Sequence, residues 1–125
     1  MKPGGSILAS RKGDKLILGL SGSPGAAILG LLRIARPYLY KLCGRSDGMA
    51  APGRALLKEA YGKASSKLRI IRGRLEILDG KAYFVESSGQ GNTVLSSMVD
   101  CDLLAEIPAG SPPLEAGTLV TVYRI

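Results

Sequence analysis

The sequence predicts an α+β fold, a β-hairpin plus one helix followed by a small all-β, barrel-like domain. Three observations carry this reading. Apolar residues between Pro24 and Leu42 recur at helical spacing. From Lys67 onward, short alternating runs are separated by turn signals every few residues. Between them, Arg45 to Gly53 reads R-S-D-G-M-A-A-P-G, the composition of a linker. With 46% apolar residues, a chain of 125 can bury a core and is not disordered by composition.

In order, Ser6 to Ser10 is a short strand, Arg11 to Asp14 a polar turn, and Lys15 to Leu18 the return strand of a hairpin. Leu16, Ile17 and Leu18 read as a buried strand that runs into Gly19-Leu20-Ser21-Gly22-Ser23-Pro24-Gly25. Small residues there cannot continue it, and Ser23-Pro24 is a helix start with Ser at the N-cap and Pro in the first turn. Such a turn points backbone N–H groups at the positive end of a helix, where an oxyanion such as phosphate or molybdate can be held; it can equally be a packed connection. In the helix, Ile28, Leu31, Leu32, Ala35, Leu39 and Leu42 form the expected buried stripe, with Arg33, Arg36 and Lys41 off it. Pro37 is expected to kink or divide the helix near Arg36, and Gly44 to end it.

The segment from Arg54 to Tyr61 is ambiguous: Ala55-Leu56-Leu57-Lys58-Glu59-Ala60 has helix formers but is short and enclosed by glycines. After it come a strand over Leu68 to Ile77, a hairpin turn at Asp79-Gly80, a return strand over Lys81 to Glu86, and a polar loop at Ser87 to Asn92. Further strands are expected at Thr93 to Met98, Leu103 to Ile107 and Thr118 to Ile125. Strands this short, with turns this close, suggest a small barrel or sandwich.

The net charge of +7 is unevenly spread. Residues 1–75 hold 15 Lys/Arg against 3 Asp/Glu, and residues 76–125 hold 2 against 7. The first part favours an anionic partner, whether nucleic acid, acidic lipid or a phosphorylated small molecule, unless it is a solvated face or a piece of a larger protein. Cys43 and Cys101 form neither a disulfide framework nor a zinc set, and with no histidine there is no Ser-His or Cys-His pair. Both cysteines are expected to be small buried hydrophobes in a reducing compartment. The uncharged run Leu16 to Leu32 only reaches the lower limit of about 17 residues for crossing a bilayer, and its Gly/Ser/Pro centre would leave backbone groups unpaired in lipid. The first 14 residues lack a signal-peptide apolar run, and a cytoplasmic location is expected.

The series Lys2-Pro3-Gly4, Gly19-Leu20-Ser21-Gly22-Ser23-Pro24, Ala35-Arg36-Pro37, Lys41-Leu42 with Gly44, Arg72-Gly73-Arg74-Leu75, Ser88-Gly89-Gln90-Gly91 and Leu95-Ser96-Ser97 resembles, in order and spacing, the C-terminal third of the molybdopterin molybdenumtransferases, the MoeA and gephyrin E-region family. The resemblance implies that residues 1–45 end a MogA-like α/β domain, that 46–53 link, and that 54–125 form a C-terminal β-barrel domain. It also implies an extended segment at Arg54 to Tyr61. The implied reaction is insertion of molybdate into adenylylated molybdopterin with Mg²⁺ and release of AMP, in a homodimer. Substrate-binding positions carried over are Lys2, Pro3, Gly4, Ser21, Gly22, Ser23, Pro24, Gln90, Ser96 and Ser97, with the metal ligands outside this chain.

Three departures stand out: Gly5 replaces the second lysine of the K-P-G-K-P motif, and Ser21 and Ser23 replace the Pro and Asn of P-G-N-P. Loss of a hydrogen-bonded charged contact costs about 2 kcal/mol, so these 125 residues alone are expected not to turn over. Two other readings compete with this one. A basic barrel that binds nucleic acid is disfavoured because Tyr83 and Phe84 fall on opposite strand faces, leaving no stacking platform. A non-catalytic interaction or dimerisation fragment would leave the strand at Leu16 to Leu18 and the apolar helix face uncovered, and a homo-oligomer is expected.

Overall fold

A computed structural model describes residues 1–46, 51–90 and 98–125. Strands β1 (Leu8–Lys12) and β2 (Lys15–Gly19) form an antiparallel hairpin pairing Leu8 with Gly19 and Lys12 with Lys15. The helix follows as α1 (Pro24–Gly30), a π turn (Leu31–Ala35) and α2 (Arg36–Leu42). Strands β3 (Gly53–Leu57), β4 (Arg69–Leu78), β5 (Lys81–Glu86), β6 (Leu103–Ile107) and β7 (Leu119–Arg124) close into a barrel of order β3-β5-β4-β6-β7. Only the β3/β5 pairing is parallel.

Alternation fills the barrel. Ile71, Phe84, Leu103, Ala105, Ile107, Val120 and Val122 point inward and are buried together with Ala55, Leu57 and Tyr61. The Arg54 to Tyr61 segment is therefore extended at its start against its helix propensity, because Ala55 and Leu57 are worth more as barrel lining than as helix formers. Gly73 lets two strands approach: a Cβ there would stand 2.3 Å from the Val85 carbonyl oxygen and 2.4 Å from Phe84 Cζ. Asp79 (φ 49) and Gly80 (φ 73) make the two-residue hairpin turn between Leu78 and Lys81. The strand expected at Thr93 to Met98 lies outside the described residues except for Met98, which is not extended.

The helix divides where Pro37 requires it. The π turn shifts the Arg36 N–H onto the Leu31 carbonyl just before the residue that has no N–H to give. Gly44 (φ 69) ends the helix in a Schellman motif, with Gly44 N–H donating to Lys41 O (3.1 Å) and Arg45 N–H to Tyr40 O (2.9 Å).

The expected helix stripe is corrected. The barrel receives the line through Leu29 and Arg33: Leu29 packs on Ile70 and Leu104, while Arg33 bonds Glu106. Ala26, Leu29, Gly30 and Ala35 are buried, but Leu31, Leu39 (50% exposed) and Leu42 (65%) are not. The C-terminal half of the helix faces the hairpin across a cavity lined by Leu16, Leu18, Tyr38 and Leu42. Leu16 to Leu18 likewise is not a buried strand. Ile17 is 55% exposed, because a two-stranded hairpin covers one face at most. Cys43, expected inside, is exposed at the helix C-cap; Cys101 is half-buried against the Leu29 cluster. Among the described residues no helix is long and apolar enough to cross a membrane.

Candidate functional site: a cationic groove at the barrel edge

Strand β4 is longer than its neighbour. β5 pairs with it only from Gly73 to Leu78, so the stretch from Leu68 to Arg72 has one edge without a β5 partner. Two devices close it. First, Lys2 adds a parallel bridge, its N–H donating to Leu68 O (2.7 Å) and its carbonyl accepting from Ile70 N–H (2.9 Å). Second, the Gln90 side chain imitates a strand. Its Oε1 accepts from Arg72 N–H (3.0 Å), and its Nε2 donates to Arg72 O (2.7 Å) and to Ser87 O (2.8 Å). The Ser87 N–H also donates to Arg72 O (2.9 Å), so both main-chain polar groups of buried Arg72 are paired on this edge.

Between the two devices the surface is concave. One cavity of about 260 Å³ is lined by Lys2, Pro3, Lys63, Arg69, Glu86 and Gln90 among others, and a second of about 350 Å³ by Lys2, Gly4, Gly5, Ser65, Lys67 and Arg69 among others. Lys2, Pro3 and Arg69 stand in both. The Arg69 guanidinium is fixed by neutral oxygens: Nε donates to Ser65 Oγ (2.8 Å) and an Nη to Tyr61 Oη (3.1 Å). Both partners are themselves anchored by backbone bridges, Tyr61 with Leu114 and Ser65 with Ser111. Among the described residues no carboxylate forms an ion pair with Lys2, Lys63 or Arg69. Glu86 is the one carboxylate lining these two cavities. Partial desolvation raises its pKa above the ordinary carboxylate value; Lys63 opposes the shift and Glu59 adds to it.

The expected site residues thus separate into three sets. Lys2, Pro3 and Gly4 lie in the groove together with Gln90, although the Gln90 amide is fully engaged with backbone. Ser21, Gly22, Ser23 and Pro24 form the turn before α1, with Ser23 at the N-cap in an extended conformation (φ −79, ψ 121). Ser23 N–H is taken by Ser21 Oγ at 3.2 Å, Ala27 N–H closes onto Ser23 O, and neither cavity lined by Lys2 includes a residue of this turn. Ser96 and Ser97 lie outside the described residues. Sequence reasoning missed Lys63, Arg69, Tyr61 and Ser65. The usable signal was the cluster of cations at 63, 67 and 69 just before a strand, beside a Tyr and a Ser at helical-like offsets in a segment that is not helical.

No cluster of three or more Cys, Asp or Glu side chains that could hold a metal occurs among the described residues, so the residues present do not fit a Mg²⁺ site. The groove is suited instead to a dianionic oxyanion, with one rigid planar fork and mobile ammonium groups.

The comparisons with known proteins agree on the family. The family described as MoeA C-terminal region (domain IV) matches residues 54–125. A molybdopterin molybdenumtransferase of Staphylococcus aureus (strain Mu50) is 25% identical over 122 residues, covering 98% of this chain and 29% of that protein. The one from Bacillus subtilis (strain 168) is 23% identical over 125 residues, covering 100% and 29%. In structure, a molybdopterin biosynthesis moeA protein from Pyrococcus horikoshii superposes with a TM-score of 0.75 at 22% identity, covering 99% of this chain and 30% of that one. A molybdenum cofactor biosynthesis protein from Pyrococcus furiosus does so at 0.67 and 22%, covering 86% and 38%. The chain spans under a third of the length of the curated relatives it matches.

Proposed function

Because this chain belongs to the MoeA C-terminal region (domain IV) family, we propose that it is the C-terminal part of a molybdenum cofactor biosynthesis transferase, one that inserts molybdate into adenylylated molybdopterin and releases AMP. In this reading residues 1–45 complete a MogA-like α/β domain, whose upstream part covers the apolar face at Ile17, Leu39 and Leu42. The enzyme works as a cytoplasmic homodimer and draws its Mg²⁺ ligands from outside this chain.

The observation that carries the proposal is the seating of Lys2. Two backbone hydrogen bonds hold it on β4, so its ammonium and the barrel's Arg69 line one groove. Cations unpaired by carboxylates are what a dianion needs: they offset its desolvation as it leaves water. Gly4 and Gly5 line the second cavity beside Met1, Lys2 and Pro3. The nucleic-acid alternative finds no support in the fold, since Phe84 is buried inside the barrel and Tyr83 is half-buried on the other face.

The test uses the whole enzyme of which this chain is the C-terminal part, supplied with adenylylated molybdopterin and molybdate. AMP release that requires molybdate, reduced about tenfold or more by Lys2→Ala, is the expected result. An enzyme that neither binds molybdate nor releases AMP from the adenylylated pterin ends the proposal.

A further inference from the structure

We infer that Arg69, held by Tyr61 and Ser65, anchors the phosphate of a phosphomonoester in the groove between the N-terminal strap and the barrel. This deepens the proposed function and rests on it for the identity of the natural ligand, a phosphomonoester product and not the adenylylated substrate, whose phosphate is held in an anhydride; the chemistry can be tested separately.

Four features lead to it. Arg69 stands in both cavities, so a group bound to it can extend in either direction. Its hydrogen bonds to Ser65 and Tyr61 go to hydroxyl oxygens, which fix the plane of the guanidinium without cancelling its charge. Lys2 and Lys63 line the same 260 Å³ cavity and supply further cations around the fork, as a doubly charged terminal phosphate requires. The wall of that cavity also carries Pro3, Ile70 and Ile71, apolar surface that an inorganic ion has no use for and the organic part of an ester does. In the cavity lined by Gly4 and Gly5, Lys67 joins Lys2 and Arg69 as a third cation.

The experiment titrates the ¹⁵N-labelled 125-residue chain with phenyl phosphate, inorganic phosphate and molybdate, following amide and arginine side-chain shifts. Phenyl phosphate is expected to move resonances of Lys2 to Gly5, Ala64 to Arg69 and the Arg69 Nε–H, and to bind at least threefold more tightly than inorganic phosphate. Arg69→Gln should weaken it tenfold or more. Tyr61→Phe, which removes only the hydroxyl, should weaken it by a smaller factor with the fold intact. Lys81→Gln, on the distant β5 end, should leave it unchanged.

Unaltered affinity in both Arg69→Gln and Tyr61→Phe overturns the inference, as do shifts confined to Leu20 to Gly25. Equal or tighter binding of molybdate or inorganic phosphate overturns the assignment of the ligand as an ester. Failure here together with molybdate-dependent AMP release by the whole enzyme sinks this inference and leaves the proposed function standing; the reverse pattern does the opposite.

Discussion

The Arg33 guanidinium lies flat over the Tyr123 ring, 3.6 Å from its centroid, and bonds Glu106 Oε1, while Tyr123 Oη donates to the other oxygen of the same carboxylate at 3.3 Å. One helix residue therefore grips two adjacent barrel strands, β6 and β7. It stands beside the apolar contact of Leu29 with Ile70 and Leu104.

Replacing Arg33 by Met keeps much of the stem and removes the charge. The pair is about a fifth exposed on each side, so solvent screening reduces what it contributes. We expect a loss of about 2 kcal/mol in urea unfolding, from the ion pair and the stacked cation together. A double-mutant cycle with Glu106→Gln should return a coupling of about 1 kcal/mol; additive effects would mean that the two side chains do not act as a unit.

Gln90→Ala should destabilise by about 2 kcal/mol, because it strips the partner from the N–H of buried Arg72 and from Ser87 O, while Arg72 O keeps the Ser87 N–H. Glutamate at this position keeps the acceptor for Arg72 N–H but cannot donate to the two carbonyls, and should restore less than half of the loss. Amide exchange at Arg72, accelerated about a hundredfold in the alanine variant, is the local readout. Unchanged protection at Arg72 would show that the side chain does not close this edge.

The two thiols should separate kinetically. Cys43 is exposed at the end of the helix, whereas burial raises the pKa of Cys101 above the usual thiol value, against the lowering effects of Gly73 and Leu103 backbone bonds and of Arg72. With a disulfide reagent at pH 8, one equivalent should react fast and disappear in Cys43→Ser, and the other should react about a hundredfold more slowly. The raised value belongs to the folded chain, so the stabilisation from neutral Cys101 is present at lower pH and is lost as pH rises through it. Two equally fast thiols would contradict the burial of Cys101.

Much of the barrel was legible in the sequence. The Asp79-Gly80 turn and the opposed faces of Tyr83 and Phe84 are local signals, and local geometry realises them. The alternation expected over Leu68 to Ile77 is not realised: Ile70 and Ile71 are both buried, one against Leu29 and one in the barrel, while Leu75 (43%) and Ile77 (60%) are exposed. The hairpin and the helix end at Gly44 were equally plain, for the same reason. The helix face was misjudged because hydropathy cannot tell an apolar residue that meets a barrel, such as Leu29, from one left half-exposed, such as Leu39. Arg33 was set outside the contact on its charge alone, yet a guanidinium can close an interface when a carboxylate and an aromatic ring wait opposite. The groove was half legible: the Lys-Pro-Gly start announced Lys2, but Arg69 became visible only when the chain's first residues folded back onto β4, a pairing across 67 positions that no window of sequence contains. Gln90 was picked out by the family resemblance alone; its work as a substitute strand follows from β5 stopping short, which is a matter of register.

The hairpin and helix are fastened to the barrel at two separated points, the bridge of Lys2 to β4 and the clasp of Arg33 on β6 and β7. A body held by one bolt can swivel, and a body held by two cannot. On the proposed function, a ligand would therefore meet walls whose spacing these two fastenings set.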